Sequence, residues 1–255
     1  MAEKKKLGIF KLTSCAGCQM RLLYYQHREL EALTAYDITY FKMGKRDNLE
    51  NIKVDVALIE GCVTNSEQID ELKRIRENST ILATLGGCAT RSSLWGLKNN
   101  KPEKEIEEKA YKDLSTIHSI KAIPVNDVVK VDYLLPGCPV GEDEMTEFLQ
   151  SALVGRRPFI KPHSVCVECK MKGNLCILVA KKEPCMGPVT AAGCGALCPT
   201  NGRPCYNCRG PMIAANAPAL AKEFKKNGLS DEEIYLKFTA FSGLSKVYEE
   251  VTDRA

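Results

Sequence analysis

A parallel-sheet α/β domain followed by a cysteine-rich, irregular and helical segment is the architecture that this sequence of 255 residues predicts. Three observations carry that expectation. Short apolar runs of strand length alternate with amphipathic helical patterns up to about residue 155, and such alternation gives a parallel sheet with helices on both faces. A proline-bearing stretch, Arg156-Arg-Pro-Phe-Ile-Lys-Pro-His163, then interrupts all periodicity. Beyond it, eight cysteines lie between Cys166 and Cys208, with glycine and proline filling much of the space between them.

Taken in order, the apolar runs at 7–12, 36–41, 54–59, 80–85, 120–125 and 131–135 read as strands. Helical patterns cover 19–33 and 66–77, the second with Thr64 followed three residues later by Glu67, the spacing of a capping box. Residues 103–113 form a charged surface helix by composition, and 143–153 an amphipathic one that stops at Gly155. These elements make a first domain over 1–158. The second, 159–255, opens with a cysteine segment that has too little apolar material for a core of its own. Metal binding can supply that folding energy. Plain helices at 216–226, 231–241 and 244–251 follow as packing elements.

Composition narrows the function. Apolar residues make up 44% of the chain and charged residues 27%, as in ordinary soluble globular proteins. A net charge of +4, from 36 basic and 32 acidic residues, gives no concentrated basic face for nucleic acid. The start, Met1-Ala-Glu-Lys-Lys-Lys, reads as a solvated tail. With no apolar signal region, no twin-arginine pair and no stretch long enough to span a bilayer, a cytoplasmic protein without membrane contact is expected. Thirteen cysteines would be an oxidation liability there unless something holds them, and an odd number argues against a fully paired disulfide framework. With only His27, His118 and His163 available, any metal site must be mostly thiolate, which selects zinc or iron–sulfur clusters.

The cysteines fall into two groups. Cys15 and Cys18 form a C-x-x-C directly after the first strand, a spacing that also serves redox disulfides and zinc. Cys88, in Gly86-Gly-Cys-Ala-Thr90, and Cys138, in Pro136-Gly-Cys-Pro139, each follow an expected strand. Parallel sheets place their sites outside the carboxyl ends of the strands, so these four can converge on one rim. The bland alternative makes Cys88 and Cys138 ordinary buried thiols. Glu60-Gly-Cys62 belongs on the same rim. Cys62 is either a spare thiol near a cluster or a small buried residue; Glu60 is either a near-cluster carboxylate or a strand-end residue bonding to a loop. Later come Cys166-x2-Cys169-x6-Cys176-x8-Cys185 and Cys194-x3-Cys198-x6-Cys205-x2-Cys208, two sets of four. Two [4Fe–4S] clusters or two structural zinc ions would use them equally. The lack of paired knuckles, the apolar and glycine surroundings, and a thiolate pocket already offered on a sheet rim favour iron. His163, three residues before Cys166, could replace a cysteine ligand but more simply lies at the surface.

Together, Cys15-x2-Cys18, Gly87-Cys88-Ala89, Pro136-Gly-Cys138-Pro139, Cys185-Met-Gly-Pro188, Leu197-Cys-Pro-Thr200 and Pro204-Cys-x2-Cys208 resemble the small subunit of nickel–iron hydrogenases. The resemblance runs to about residue 212 and is to the cytoplasmic multimeric branch, the sulfhydrogenase type of hyperthermophilic archaea. It implies a flavodoxin-like first domain holding a proximal [4Fe–4S] cluster through Cys15, Cys18, Cys88 and Cys138. It also implies medial and distal clusters in the second domain, so that electrons from H2 pass along three clusters with no bond-making chemistry on this chain. Implied partners are a large subunit with the nickel–iron centre and iron–sulfur and flavin subunits that use NAD(P) or sulfur, as a heterotetramer. Where periplasmic members use a histidine and a three-cysteine medial site, this chain has extra cysteines, which favours three [4Fe–4S] clusters. The alternatives are the small subunit of another cofactor-reducing hydrogenase of this type, a related complex I subunit with its adjacent cysteine pair and single cluster, a stand-alone ferredoxin-like carrier, and a zinc-stapled binding module. Between Cys166 and Cys208 the one aromatic is Tyr206, which disfavours the zinc module.

Overall fold

The computed structural model describes residues 3–24 and 28–253 of the chain, which divides into two compact units, Met1–Phe159 and Ile160–Ala255. In the first, β1 (Lys6–Lys11), β2 (Asp37–Tyr40), β3 (Val54–Glu60), β4 (Ser79–Leu85) and β5 (Tyr133–Leu135) form one parallel sheet in the order β2-β1-β3-β4-β5. The chain moves outward from β1 to β2 and then crosses back to β3. The direction of winding therefore reverses between β1 and β3, as in flavodoxin-like sheets.

Strand β3 shows why the sheet is sandwiched. Its residues from Val56 to Ile59 are all fully buried. Val56 and Leu58 face one core with Leu7, Ile9, Ala83, Leu85 and the helical residues Met145, Phe148 and Leu149. Ala57 and Ile59 face the other with Leu82, Leu72 and Ile75. The two-residue period of the strand thus feeds two cores at once, and a near-continuous apolar run is the mark of a central parallel strand.

The helices of this unit are α1 (Gly17–Tyr24), α2 (Arg28–Thr34), α3 (Ser66–Glu77), α4 (Gly86–Arg91), α5 (Glu103–Ala110) and α6 (Glu142–Val154). The expected helix at 19–33 is helical in α1 and α2; Tyr25, Gln26 and His27 lie outside the described residues. Helix α3 is capped one residue later than expected: the Gln68 amide donates to Asn65 Oδ1 at 2.9 Å, while Gln68 Oε1 accepts from the Thr64 amide at 2.8 Å. The run at 120–125 is not a strand. Ile123 makes only an isolated antiparallel bridge with Val63, Pro124 lacks an N–H to donate, and a 3₁₀ turn follows at Val125–Asp127. Its apolar character comes from Ile120, Ile123 and Val125 packing into the α3-side core. A 3₁₀ stretch at Ser93–Asn100 follows α4 and carries Trp95, the single tryptophan. Helix α6 stops at Gly155, which takes the left-handed conformation at φ +71°.

The second unit has α7 (Val165–Met171), α8 (Ile177–Ala180), α9 (Leu197–Thr200), α10 (Ala217–Lys226), α11 (Asp231–Thr239) and α12 (Glu249–Thr252). The cysteine segment borrows its core from the last three. Phe224 and Phe238 from α10 and α11, with Tyr248 from the 3₁₀ turn before α12, pack against Val165, Met186 and Val189 and the thiols of Cys185 and Cys205. Phe238 meets Tyr248 edge-on at 5.1 Å, and α11 begins with a full capping box between Ser230 and Glu233. Among the described residues no helix is long and apolar enough to cross a membrane.

Asp132 joins β5 to β4, its Oδ2 accepting from the Leu82 amide at 2.8 Å and from Arg76 Nη1 at 2.7 Å. Burial raises its pKa, but these donors and the Arg76 charge more than offset that, and the net result lies below the usual 3.8. The stability it contributes is therefore present above pH 3.8 and lost as pH falls through the depressed folded value. Asp132→Asn should lower stability by about 1 kcal/mol at pH 7. In urea unfolding followed by Trp95 fluorescence, the gap from the parent should close in acid.

Candidate metal centres

The first cysteine group assembles at the carboxyl ends of four strands. Cys15 and Cys18 follow β1, with Cys18 in the first turn of α1; Glu60 ends β3 and leads to Cys62; Cys88 lies in α4 after β4; Cys138 follows β5. Cys18 lies within electrostatic reach of Cys88 and Cys138, and Cys88 within reach of Cys15, Cys138 and Cys62. The β1/β3 reversal, where ligands gather on such sheets, is the place where the Cys15–Cys18 loop and Glu60 meet.

Backbone geometry clears the space. Gly86 has φ +84°, and a Cβ there would collide with Cys18 Sγ, so only glycine lets β4 turn beneath that thiol. The neighbouring Gly87 amide donates to Gly137 O at 2.6 Å, tying the loop that bears Cys88 to the loop that bears Cys138. Glu60 is 2% exposed, and its carboxylate caps the start of α1 by accepting from the Cys18 amide at 3.1 Å and the Gln19 amide at 3.3 Å. Burial raises the Glu60 pKa, with those two amides and Lys11 acting the other way. The strand-end alternative for Glu60 thus has a concrete form: it orients the loop that presents Cys18. Cys62 is fully buried, with its thiol 3.7 Å from Thr13 O, and burial pushes it up to about 11.

The second group divides between two places in the other unit. Cys166 and Cys169 from α7, Cys176 at the start of α8, and Cys185 line a small cavity of about 40 Å³ with Val165, Gly187 and Pro199. A Cβ on Gly187 would lie 3.3 Å from Cys166 Sγ and 3.5 Å from Cys185 Sγ. Cys198, on α9, lies within electrostatic reach of Cys208 and Cys194, as Cys205 does of Cys208. The two places adjoin, since the Cys205 amide donates to Cys185 Sγ at 3.2 Å. Further amides face sulfur, Gly187 toward Cys185 and Asn207 toward Cys205. Buried Glu168 ties α7 to the Cys194 loop, accepting from the Gly193 amide at 3.0 Å and from Lys161 at 2.9 Å. His163 is half-buried with Nδ1 3.2 Å from Ser164 O, and it does not line the cavity.

No disulfide joins any two of the thirteen cysteines. Burial, and then repulsion among neighbouring thiolates, pushes Cys88 up to about 12 and Cys166 to about 11; Cys18 is driven up by burial and the Glu60 charge. A set of buried thiols this reluctant to ionise needs a strongly cationic partner to become thiolate, and a coordinated metal provides one. Among the described residues no three His, Cys, Asp or Glu side chains gather tightly enough around one point to hold a single ion. The donor chemistry and the cleared glycine cradle fit a bulky thiolate-bound cluster. Sequence reasoning assigned no role to Asn207, Glu168 or Gly187, whose relations to the thiols arise only in the fold.

The profile of the family described as NADH ubiquinone oxidoreductase, 20 Kd subunit, matches residues 15–152. Sulfhydrogenase 2 subunit delta of Pyrococcus furiosus is 38% identical over 93% of this chain and 99% of that protein. A subunit of the vhu F420-non-reducing hydrogenase of Methanocaldococcus jannaschii is 30% identical over 80% of this chain and 81% of its own length. Among solved structures, a chain of an NAD+-reducing [NiFe]-hydrogenase in the H2-reduced state superposes with a TM-score of 0.54 at 29% identity, over 62% of this chain and 95% of that one.

The Glu60 cap generates a direct test. Glu60→Ala should leave the Cys18 and Gln19 amides unpaired at about 1–3 kcal/mol in total. Their hydrogen exchange should accelerate at least tenfold, while amides in the middle of β3 stay protected.

Proposed function

We propose that this chain, which belongs to the nickel–iron hydrogenase small-subunit family and to the wider 20 Kd NADH ubiquinone oxidoreductase family, is an electron-transferring subunit holding three [4Fe–4S] clusters. The observation that carries the proposal is the rim itself, with Cys15, Cys18, Cys88 and Cys138 gathered at strand ends around glycines that leave no room for a side chain. Those four would hold the proximal cluster. Cys166, Cys169, Cys176 and Cys185 would hold a second, and Cys194, Cys198, Cys205 and Cys208 a third; the shared cavity of the first set, and the proximity of Cys198 to Cys194 and Cys208 and of Cys205 to Cys208, support that grouping. Bound there, the clusters would supply one-electron relays between the nickel–iron site of a large subunit and iron–sulfur or flavin subunits that use NAD(P) or sulfur. The names of the Pyrococcus sulfhydrogenase delta subunit and of the NAD+-reducing [NiFe]-hydrogenase structure support partner subunits of this kind; we infer a heterotetramer in the cytoplasm.

The work left to this chain is positional and electrostatic. Its buried thiols shed water from the site, and the amides of Gly187, Cys205 and Asn207 offer hydrogen bonds to sulfur. Such bonds and the low polarity of the surroundings set reduction potentials. Glu60 and Gly86 keep the Cys18 loop in place, and no side chain is called on as nucleophile or acid catalyst.

Metal analysis of the complex isolated anaerobically should give about 12 iron per copy of this chain, more with partners attached, and roughly one nickel from the large subunit. About two zinc per chain with little iron would overturn the reading. Cys88→Ala should remove H2-dependent acceptor reduction and about four iron while nickel is retained. Cys62→Ala should keep the iron, because that thiol is bonded to Thr13 O and is a fifth cysteine on a rim that needs four.

A further inference from the structure

Helix α7 ends in a turn that folds back on one of its own cysteines. Gly173 takes the left-handed conformation at φ +69°, and its amide donates to Lys170 O at 2.9 Å. The next amide, that of Asn174, donates to Cys169 O at 3.2 Å. This turn returns the half-buried Asn174 side chain to the same cysteine: Nδ2 lies 3.7 Å from Cys169 Sγ, within reach of a hydrogen bond to sulfur. The same nitrogen donates to Thr200 Oγ1 at 3.0 Å. An amide nitrogen carries two protons, so it serves both acceptors at once. Thr200 ends α9, the helix that bears Cys198, and its hydroxyl lies 2.9 Å from Ala196 O. With its one proton given to that carbonyl, the hydroxyl oxygen accepts from Asn174. The side chain is therefore held from three directions, by its own backbone bond to Cys169, by α9 and by the sulfur.

We propose that Asn174 Nδ2 donates a hydrogen bond to the Cys169 sulfur of the cluster held by Cys166, Cys169, Cys176 and Cys185, and so raises that cluster's reduction potential. The inference rests on the reading that these four thiols hold an iron–sulfur cluster. Ligation itself fixes the sense of the amide. A reversed amide would turn Oδ1 toward the sulfur, which is tolerable only while Cys169 keeps a proton to donate. A metal-bound thiolate has none, so an oxygen there would face an anion, whereas Nδ2 finds an acceptor. The effect on potential follows from charge. Reduction adds an electron to an already anionic sulfur cage, and a hydrogen bond to an ionised acceptor strengthens as that charge grows. The donor therefore stabilises the reduced state more than the oxidised one. Thr200 acts at one remove, as a positioning residue that holds Nδ2 from the helix carrying Cys198.

The test is an EPR-monitored redox titration of the intact complex purified anaerobically, with iron and zinc determined on the same samples. Asn174→Ala removes the donor without adding charge; Asn174→Asp keeps the shape but puts an anionic oxygen where the donor was. In Asn174→Ala one cluster should become harder to reduce by about tenfold, or about 59 mV for a one-electron couple. Asn174→Asp should move the same midpoint further in the same direction. The cluster that moves should be the one whose signal is altered in Cys169→Ala, with the other midpoints and the iron content unchanged. Thr200→Val keeps the shape but takes away the hydroxyl that holds Nδ2, and should give a smaller shift of the same sign. In pulsed EPR after exchange into D2O, one deuteron coupling to the reduced cluster should vanish in Asn174→Ala. Unmoved midpoints with full iron in both Asn174 variants would overturn the proposal. A shift in Asn174→Asp alone would overturn it too, since added charge by itself gives that result. Loss of four iron from both would replace it with a role in holding the turn. Zinc in place of iron in the parent complex would sink the cluster assignment instead, and that outcome is read from the parent sample alone.

Discussion

A parallel sheet delivers the carboxyl ends of all its strands to a single edge, and the first half of this molecule is organised around that constraint. Residues as far apart in sequence as Cys15 and Cys138 become neighbours because β1, β4 and β5 all stop at the same edge. The edge by itself would fill with side chains. What keeps it open is backbone: Gly86 turning beneath Cys18 and the Gly87–Gly137 hydrogen bond that joins two of the loops. The carboxylate of Glu60, carried to the edge by β3, then fixes the entry into α1 by taking the two amides that a helix start leaves unpaired.

The second half reaches a similar end by a different route. No sheet forms among its described residues, and its cysteines lie on short helices and loops with several residues in left-handed conformations, among them Gly193, Gly195, Ala196 and Asn207. Order comes from the aromatic packing of Phe224, Phe238 and Tyr248 beneath the thiols and from polar ties such as Glu168 to the Gly193 amide. Tyr248 serves both purposes, since its ring fills the core while its hydroxyl reaches Asn207. The late helices are thus part of the architecture of the sites.

Much of this was legible in the residues, because the signals are local. The apolar runs of β1, β3 and β4, the glycine that stops α6 and the Gly-Cys steps after strands are each contained in a few positions. The residues mislead where two local signals compete or where the deciding partner is remote. The run at 120–125 looks like a strand, but Pro124 and a bridge to Val63 make it a loop that packs on α3. Thr64 and Asn65 are both plausible caps, and Gln68, contacting both, settles the choice for Asn65. Glu60 could be placed on the rim from sequence, yet its two amide partners lie about forty residues earlier in the chain and appear only once β1 and β3 pair. Asn207 gives no local signal at all, because one side-chain partner is a tyrosine that follows it by 41 positions.

The high pKa values of these thiols bear on how the molecule is made. Burial pushes Cys88 and Cys205 up to about 12, which keeps these two thiols protonated in neutral solution. A protonated thiol is a poor nucleophile and a slow target for oxidants, so burial shields Cys88 and Cys205 in the empty chain. On the proposed cluster assignment, filling the sites would expel protons as metal arrives. Maturation would for that reason release protons, easier in mildly alkaline surroundings and opposed by acid, and the same burial that isolates a thiol would set the pH sensitivity of assembly.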